Sequence, residues 1–245
     1  MEEKITVEKL AGMIDQTLLS PGATSEQVES FCKKSLDYGF ASVCINPTFV
    51  SLASSIFQES KTKVCTVIDF PLGAGGIESK ILQAGSAILD GASELDFVIS
   101  LSLVKAKKWD ELESELREIR DFVNSESEKA KRKVFTKLIL ETCFLDDDEI
   151  EKSSLCAKKA GFDFVKTSTG FAIVKSADGK LMPNGATTHA VSLMRKTVGE
   201  EMGVKASGGI RTLKDAFSMI ESGASRLGTS AGFEIILEAK KTGLC

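Results

Sequence analysis

The chain carries one histidine, one tryptophan, one tyrosine and four prolines in 245 residues. A single imidazole, His189, gives a zinc site poor material, because such sites draw several ligands from histidine and cysteine. The six cysteines (Cys32, Cys44, Cys65, Cys143, Cys156 and Cys245) are scattered and never form a C-x-x-C pair. No metal is therefore expected. A basic excess is also missing. The formal net charge is -4, which argues against a general nucleic-acid binder but leaves room for a local basic pocket that takes a small anion. No apolar run approaches the roughly 18 residues of a membrane span. The opening MEEKITVEKL lacks the basic flank and apolar core of a secretory signal. These absences fit a reduced, cytoplasmic compartment, with most thiols serving as small core residues.

What is present is ordinary globular material, 42% hydrophobic and 27% charged, with ample capacity for a core. From residue 13 onward, apolar strand-like runs alternate with amphipathic helical ones. The strands are expected at Met13–Thr17, Phe40–Ile45, Val64–Phe70, Glu94–Ser100, Val134–Leu140, Phe162–Lys166, Met202–Ser207 and Ser225–Ser230. Helices are expected over Thr24–Gly39, from Pro47 to about Glu59, over Ile77–Asp90 and over Trp109–Ala130. Four more are expected from Asp146 to Gly161, from about Ala186 to Val198, over Leu213–Ser222 and over Gly232–Lys241. Thr24 or Ser25 can cap the first of these, Pro47 is tolerated in a first turn, and Gly91 and Gly161 stop the helices before them. Phe171–Gly185 reads as a long loop. Eight strand–helix units in a chain of this length predict a single (β/α)8 TIM barrel spanning residues 1–245. An open doubly wound sheet is the alternative, disfavoured because no G-x-G-x-x-G follows the first strand.

Phe162-Asp163-Phe164-Val165-Lys166 is an apolar strand that ends on a lysine, and an unpaired buried ammonium is costly unless something uses it. Side chains alternate along a strand, so Phe162, Phe164 and Lys166 share a face, as do Gly203, Lys205 and Ser207 on the next strand. With strands about 4.8 Å apart, Lys166 and Lys205 then lie close together. The same alternation turns Met13, Asp15 and Thr17, then Asp96 and Val98, then Phe135, Lys137 and Ile139 inward. The set Asp15, Asp96, Lys137, Lys166 and Lys205 is either a structural ion-pair layer or a reactive centre. An isolated lysine, with a pKa near about 10.4, is no nucleophile at neutral pH, but a second ammonium in a desolvated site lowers that value. Asp96 can relay protons. The combination suits Schiff-base formation with a carbonyl substrate, the iminium acting as electron sink.

Ser207-Gly208-Gly209-Ile210-Arg211 follows the seventh strand, and Gly228-Thr229-Ser230-Ala231-Gly232 closes the eighth and opens the last helix. Paired glycines let backbone N–H groups approach an anion at a helix N-terminus, and these two loops are the recurrent phosphate site of the barrel. Gly170 can supply a third wall. A phosphorylated carbonyl compound such as a sugar phosphate is the implied ligand. Elsewhere His189 reads as a surface or capping residue and Trp109 as an anchor of its helix. Lys175, Lys180 and the charge-dense 105–120 region read as solvated surface.

The chain resembles the 2-deoxyribose-5-phosphate aldolases nearly end to end. The resemblance rests on Ile14-Asp15-Gln16-Thr17-Leu18, Val43-Cys44-Ile45-Asn46-Pro47, Thr66-Val67-Ile68-Asp69-Phe70-Pro71-Leu72-Gly73 and Glu94-Leu95-Asp96. It rests most on Lys166-Thr167-Ser168-Thr169-Gly170 together with Lys205-Ala206-Ser207-Gly208-Gly209-Ile210-Arg211, and on Leu227-Gly228-Thr229-Ser230. The resemblance implies a class I aldolase without metal or cofactor. It makes Lys166 the Schiff-base lysine, Lys205 the lysine that tunes it and Asp96 the relay, with Lys137 and Asp15 in support. It puts Gly170, Ser207, Gly208, Gly209, Gly228 and Ser230 around the phosphate, with Thr17, Cys44 and Thr167 nearby. The implied reaction is reversible cleavage of 2-deoxy-D-ribose 5-phosphate to D-glyceraldehyde 3-phosphate and acetaldehyde. Partners are then small sugar phosphates and aldehydes, with self-association into a homodimer or larger assembly left open. Two positions depart from the pattern: no tyrosine stands near the C-terminus, and Asp69 occupies a place expected to hold a smaller or neutral residue. Another Schiff-base aldolase or transaldolase, and a catalytically silent sugar-phosphate binder, are the rival readings.

Overall fold

Eight short parallel strands pair edge to edge until the last meets the first. The computed structural model describes residues 5–176 and 178–244. The strands are β1 (Ile14–Leu18), β2 (Ser42–Ile45), β3 (Lys63–Ile68), β4 (Glu94–Val98), β5 (Phe135–Ile139), β6 (Phe164–Lys166), β7 (Gly203–Ser207) and β8 (Arg226–Thr229). Each lies beside its sequence neighbours, and pairing of Ile14 with Leu227 closes the barrel. This is the expected (β/α)8 architecture.

Alternation along each strand sorts the side chains. Ile14, Val43, Leu95, Phe97, Leu138, Val165, Val204 and Leu227 face outward and join one buried apolar shell between the barrel and its helices. Inside, the apolar cluster is small, comprising Leu19, Cys44, Cys65 and Val67 with Phe70 against them. Most of the remaining interior is polar or charged, where barrels of this kind usually stack branched aliphatics. Helix starts follow their caps. Thr24, Asp146 and Thr212 form reciprocal capping boxes with Gln27, Glu149 and Asp215.

Several boundaries move from their expected places. β3 stops at Ile68 because Asp69 takes a left-handed backbone (φ 53°). The Asp69 carboxylate is neither solvated nor aimed at the cavity. It accepts from the Gly75 N–H (3.0 Å) and lies 3.8 Å from Lys80 Nζ, closing the 69–75 turn. β4 ends at Val98, and a helix over Leu101–Lys105 follows, additional to the eight expected. Another unexpected helix, Val7–Ala11, precedes β1 and packs on the last helix, Gly232–Lys241. Phe162 lies ahead of β6, not on its inner face, and meets Phe97 edge-on in the outer shell. The loop after β6 carries a hairpin of Val174–Lys175 with Leu181–Met182, on which Lys175 is exposed. His189 is exposed, 2.8 Å from Asp147, and Trp109 opens the helix Trp109–Lys129 half-buried. Cys245 lies outside the described residues. Among those residues no helix is long and apolar enough to cross a membrane.

Candidate active site

Strand register brings charges from six strands into one layer. Asp96 pairs across strands with Lys137, and Lys166 with Lys205, which in turn pairs with Arg226. All three lysines converge on Asp96. Its Oδ1 accepts from Lys137 Nζ at 2.8 Å, and its Oδ2 accepts from Lys166 and Lys205, each also at 2.8 Å. Lys205 also reaches Asp15 Oδ2 (2.5 Å), and Lys137 reaches Glu94 Oε2 (2.6 Å). Arg226 closes the set from below, 2.6 Å from Asp15 and 3.3 Å from Glu94. Asp15, Asp96 and Lys137 have no solvent exposure, and Lys166 has 3%.

Burial alone would neutralise these groups, and their mutual attraction prevents it. Desolvation pushes the Asp96 carboxyl up, but Lys137, Lys166 and Lys205 together hold it well below the usual carboxylate range. Asp15 is likewise raised by burial and then brought low by Lys205, Arg226 and Lys137. Desolvation works against charge on Lys137 and Lys205, yet Asp96 with Glu94 and Asp15 leaves both above the ordinary lysine value. Arg226 is raised by Asp15 and Glu94 in the same way. Three carboxylates thus face four cations.

Above this floor opens a cavity of about 340 Å³, and Lys166 is the ammonium of the layer that lines it. Thr17, Ser207, Gly208, Gly209, Gly228 and Ser230 line it too, as does Arg211. Gly209 holds a left-handed φ of 81° with open space where a Cβ would stand, so its backbone is free to meet a ligand. The helix Gly232–Lys241 starts two residues after Ser230 of this rim. Three candidate residues fall elsewhere. Gly170 is exposed and off the lining, its carbonyl accepting from Asn184. Thr167 is buried beneath it, where its hydroxyl accepts from the Ser207 N–H (3.0 Å) and so fixes the Ser207-Gly208 turn. Cys44 is buried one layer away, paired in register with Cys65.

Four participants were missed from the sequence. Glu94 shares the face of Asp96, and Arg226 the face of Gly228, so extending the two-residue alternation along those strands would have found both. Cys65, whose thiol contacts Asp96 Oδ1 and Lys137 Nζ at 3.3 Å each, follows the parity of Val67. Glu141 had no such signal. It sits past β5 at a left-handed φ of 55°, where its buried carboxylate accepts from the Thr169 N–H (3.0 Å) and the Thr169 hydroxyl. Thr169 then presents a wall of the cavity. Burial pushes the Glu141 carboxyl up.

Comparison with known proteins agrees with this geometry. Residues 9–238 match the model of the DeoC/LacD family aldolases. The deoxyribose-phosphate aldolase of Caldanaerobacter subterraneus is 47% identical over 244 residues, covering 100% of this chain and 99% of that protein. That of a Thermoanaerobacter species is 48% identical over 232 residues, 95% of this chain and 97% of the other. Among solved structures, the tetrameric deoxyribose phosphate aldolase of Aeropyrum pernix superposes with a TM-score of 0.83 at 33% identity, covering 97% of this chain and 93% of that one.

Proposed function

The chain belongs to the DeoC/LacD family of aldolases, and from that premise we propose that it cleaves 2-deoxy-D-ribose 5-phosphate reversibly through a Schiff base on Lys166. The named relatives supply the substrate class. The arrangement of Lys166 supplies the mechanism.

The observation that carries the reading is a charge count. Lys137, Lys205 and Arg226 are held in their charged forms by Asp15, Glu94 and Asp96, three cations against three anions. The fourth cation, Lys166, is the surplus one and the one that reaches the cavity. Passing its proton along the hydrogen bond to Asp96 Oδ2 and out to solvent leaves a balanced layer and a free amine. Asp96 itself is too acidic to keep that proton, which suits a relay and not a reservoir.

The amine adds to the C1 aldehyde and, with loss of water, gives an iminium. Removal of the C3 hydroxyl proton then breaks the C2–C3 bond, whose electron pair forms the C1–C2 double bond as the iminium π pair moves onto nitrogen. D-Glyceraldehyde 3-phosphate leaves. The remaining enamine takes a proton at C2, and water returns acetaldehyde and the amine. Lys205 stays charged beside this nitrogen and, with Asp96, carries protons to and from it. The phosphate fits the rim, where the backbone at Gly208, Gly209 and Gly228, Ser230 and Arg211 surround the opening. Another Schiff-base aldolase would share the floor and differ at this rim.

Incubation with deoxyribose 5-phosphate and borohydride, followed by peptide mapping, tests the assignment. A reduced adduct is expected on Lys166 and on no residue of a Lys166→Ala variant. Turnover by the unmodified chain with the adduct on another lysine would sink it.

A further inference from the structure

Cys44 on β2 and Cys65 on β3 are register partners on adjacent parallel strands, and both side chains point into the barrel. Neighbouring strands lie about 4.8 Å apart, inside the Cα separation of about 4.4–6.8 Å that a disulfide spans. The two sulfurs and an Asp96 oxygen all fall within 4.8 Å of one another. Cys44 is 1% exposed and Cys65 fully buried, and both are free thiols. We propose that this pair is an oxidation site, closing to a reversible disulfide when hydrogen peroxide enters the barrel.

The two thiols differ in a way that divides the labour. The neighbouring Cys65 lowers the Cys44 thiol despite its burial, with the Lys205 and Lys166 ammoniums adding to the effect. Burial raises Cys65 well above the ordinary range, helped by its bond to Cys44 and by the Asp96 carboxylate. The Cys65 thiol is already engaged by Asp96 Oδ1 at 3.3 Å, which leaves Cys44 as the attacking sulfur and Cys65 as the resolving one. The Cys44 thiolate displaces hydroxide from the peroxide O–O bond and becomes a sulfenic acid. Cys65 sulfur then attacks Cys44 sulfur, the S–S bond forms, and the departing hydroxide takes up the Cys65 proton as water. Two thiols and one peroxide give one disulfide and two waters, the sulfurs losing the two electrons that the peroxide gains.

The same three groups have the spacing of a soft-metal site, but their charge surroundings oppose a cation. Both Asp96 oxygens are occupied by lysine ammoniums, and Lys137 Nζ also lies 3.3 Å from Cys65 Sγ. A disulfide brings no charge into that neighbourhood. Leu19 both lines the cavity and packs against this cysteine cluster, so the cavity and the thiols share a wall. Oxidation also withdraws the Cys65 thiol, 3.3 Å away, from Asp96 Oδ1. It therefore alters the carboxylate on which three lysines converge.

The test treats the purified full-length chain with a small excess of hydrogen peroxide, alkylates the remaining thiols and maps the peptides by mass. A linked Cys44–Cys65 pair, lighter by two hydrogens and released by dithiothreitol, is expected. In a Cys65→Ser variant the link is absent and Cys44 is trapped as its sulfenic acid by dimedone. Deoxyribose 5-phosphate turnover, the one readout that rests on the aldolase reading, should fall with the linked fraction and return with dithiothreitol. Three results would overturn the proposal: Cys44 alkylated after peroxide, Cys44 linked to another cysteine, or Cys44 unreactive to dimedone in the variant.

Discussion

Lys166 and Lys205 donate to the same atom, Asp96 Oδ2, each across 2.8 Å from paired positions on neighbouring strands. Their second partners differ: Lys205 also reaches Asp15 Oδ2 at 2.5 Å, whereas Lys166 lines the cavity.

Lys205→Leu removes the cation that stays. Turnover is expected to fall by about 10²–10⁴-fold, the range for loss of a positioned proton-transfer group, and to recover in part as pH rises. A kcat–pH profile reads both effects. A rate indifferent to the change at every pH would take Lys205 out of the mechanism.

The charge layer also sets how stability depends on pH. Asp15 and Asp96 titrate lower in the native chain than unfolded, so their contribution is full above about 3.9 and is lost progressively as pH falls below that value. Lys137 and Lys205 titrate higher in the native chain, so theirs is full below about 10.4 and is lost as pH rises past it. Urea midpoints should form a plateau between these limits and fall at both ends. Arg226→Met strands Asp15 and Glu94 without their guanidinium and is expected to cost about 3–5 kcal/mol at neutral pH.

How far the sequence led can be judged at particular residues. The alternation of Asp15-Gln16-Thr17 and Leu95-Asp96-Phe97 was enough to turn the charges inward, because a strand has only two faces. The same rule failed at Phe162, which precedes its strand and owes nothing to the pleat. Asp69 and Glu141 were opaque for a different reason. Both hold left-handed backbones that no pattern of apolar residues announces, and both bond to loops distant in sequence or turned back on themselves. The cavity walls drawn from Thr169 and Phe171 depend on those loops and were equally hidden.

Two glycines of the rim should respond differently to alanine. At Gly228 a Cβ would lie 2.2 Å from Ser207 Oγ and 3.0 Å from Lys205 Cε, so Gly228→Ala is expected to shift both and depress kcat by an order of magnitude or more. At Gly209 nothing lies within 4 Å, and the cost is the left-handed backbone, about 1–2 kcal/mol. Gly209→Ala should fold with lowered stability and raise KM for the phosphorylated substrate more than it lowers kcat. Thermal melts with steady-state kinetics separate the two, and equal kinetic losses would contradict the assignment of Gly209 to the phosphate rim.

Glu141→Ala removes the anchor of Thr169 and leaves two donors there without their acceptor. A loss of about 1–3 kcal/mol is expected for that pair of contacts, measured by urea unfolding. Glu141→Gln, which keeps one acceptor, should recover much of it. If the two variants prove equally stable, Glu141 is not what pins this wall.

The floor of the barrel has a bearing on how such a chain can change over time. Each of its seven charged groups has at least one opposite partner, and Asp15, Asp96 and Lys137 have three each, so replacing one member leaves others uncompensated in a dry interior. Single steps away from this arrangement are penalised even where a concerted set would be tolerated. Change at any one of Asp15, Glu94, Asp96, Lys137, Lys166, Lys205 and Arg226 is therefore expected to be tolerated only together with change at its partners.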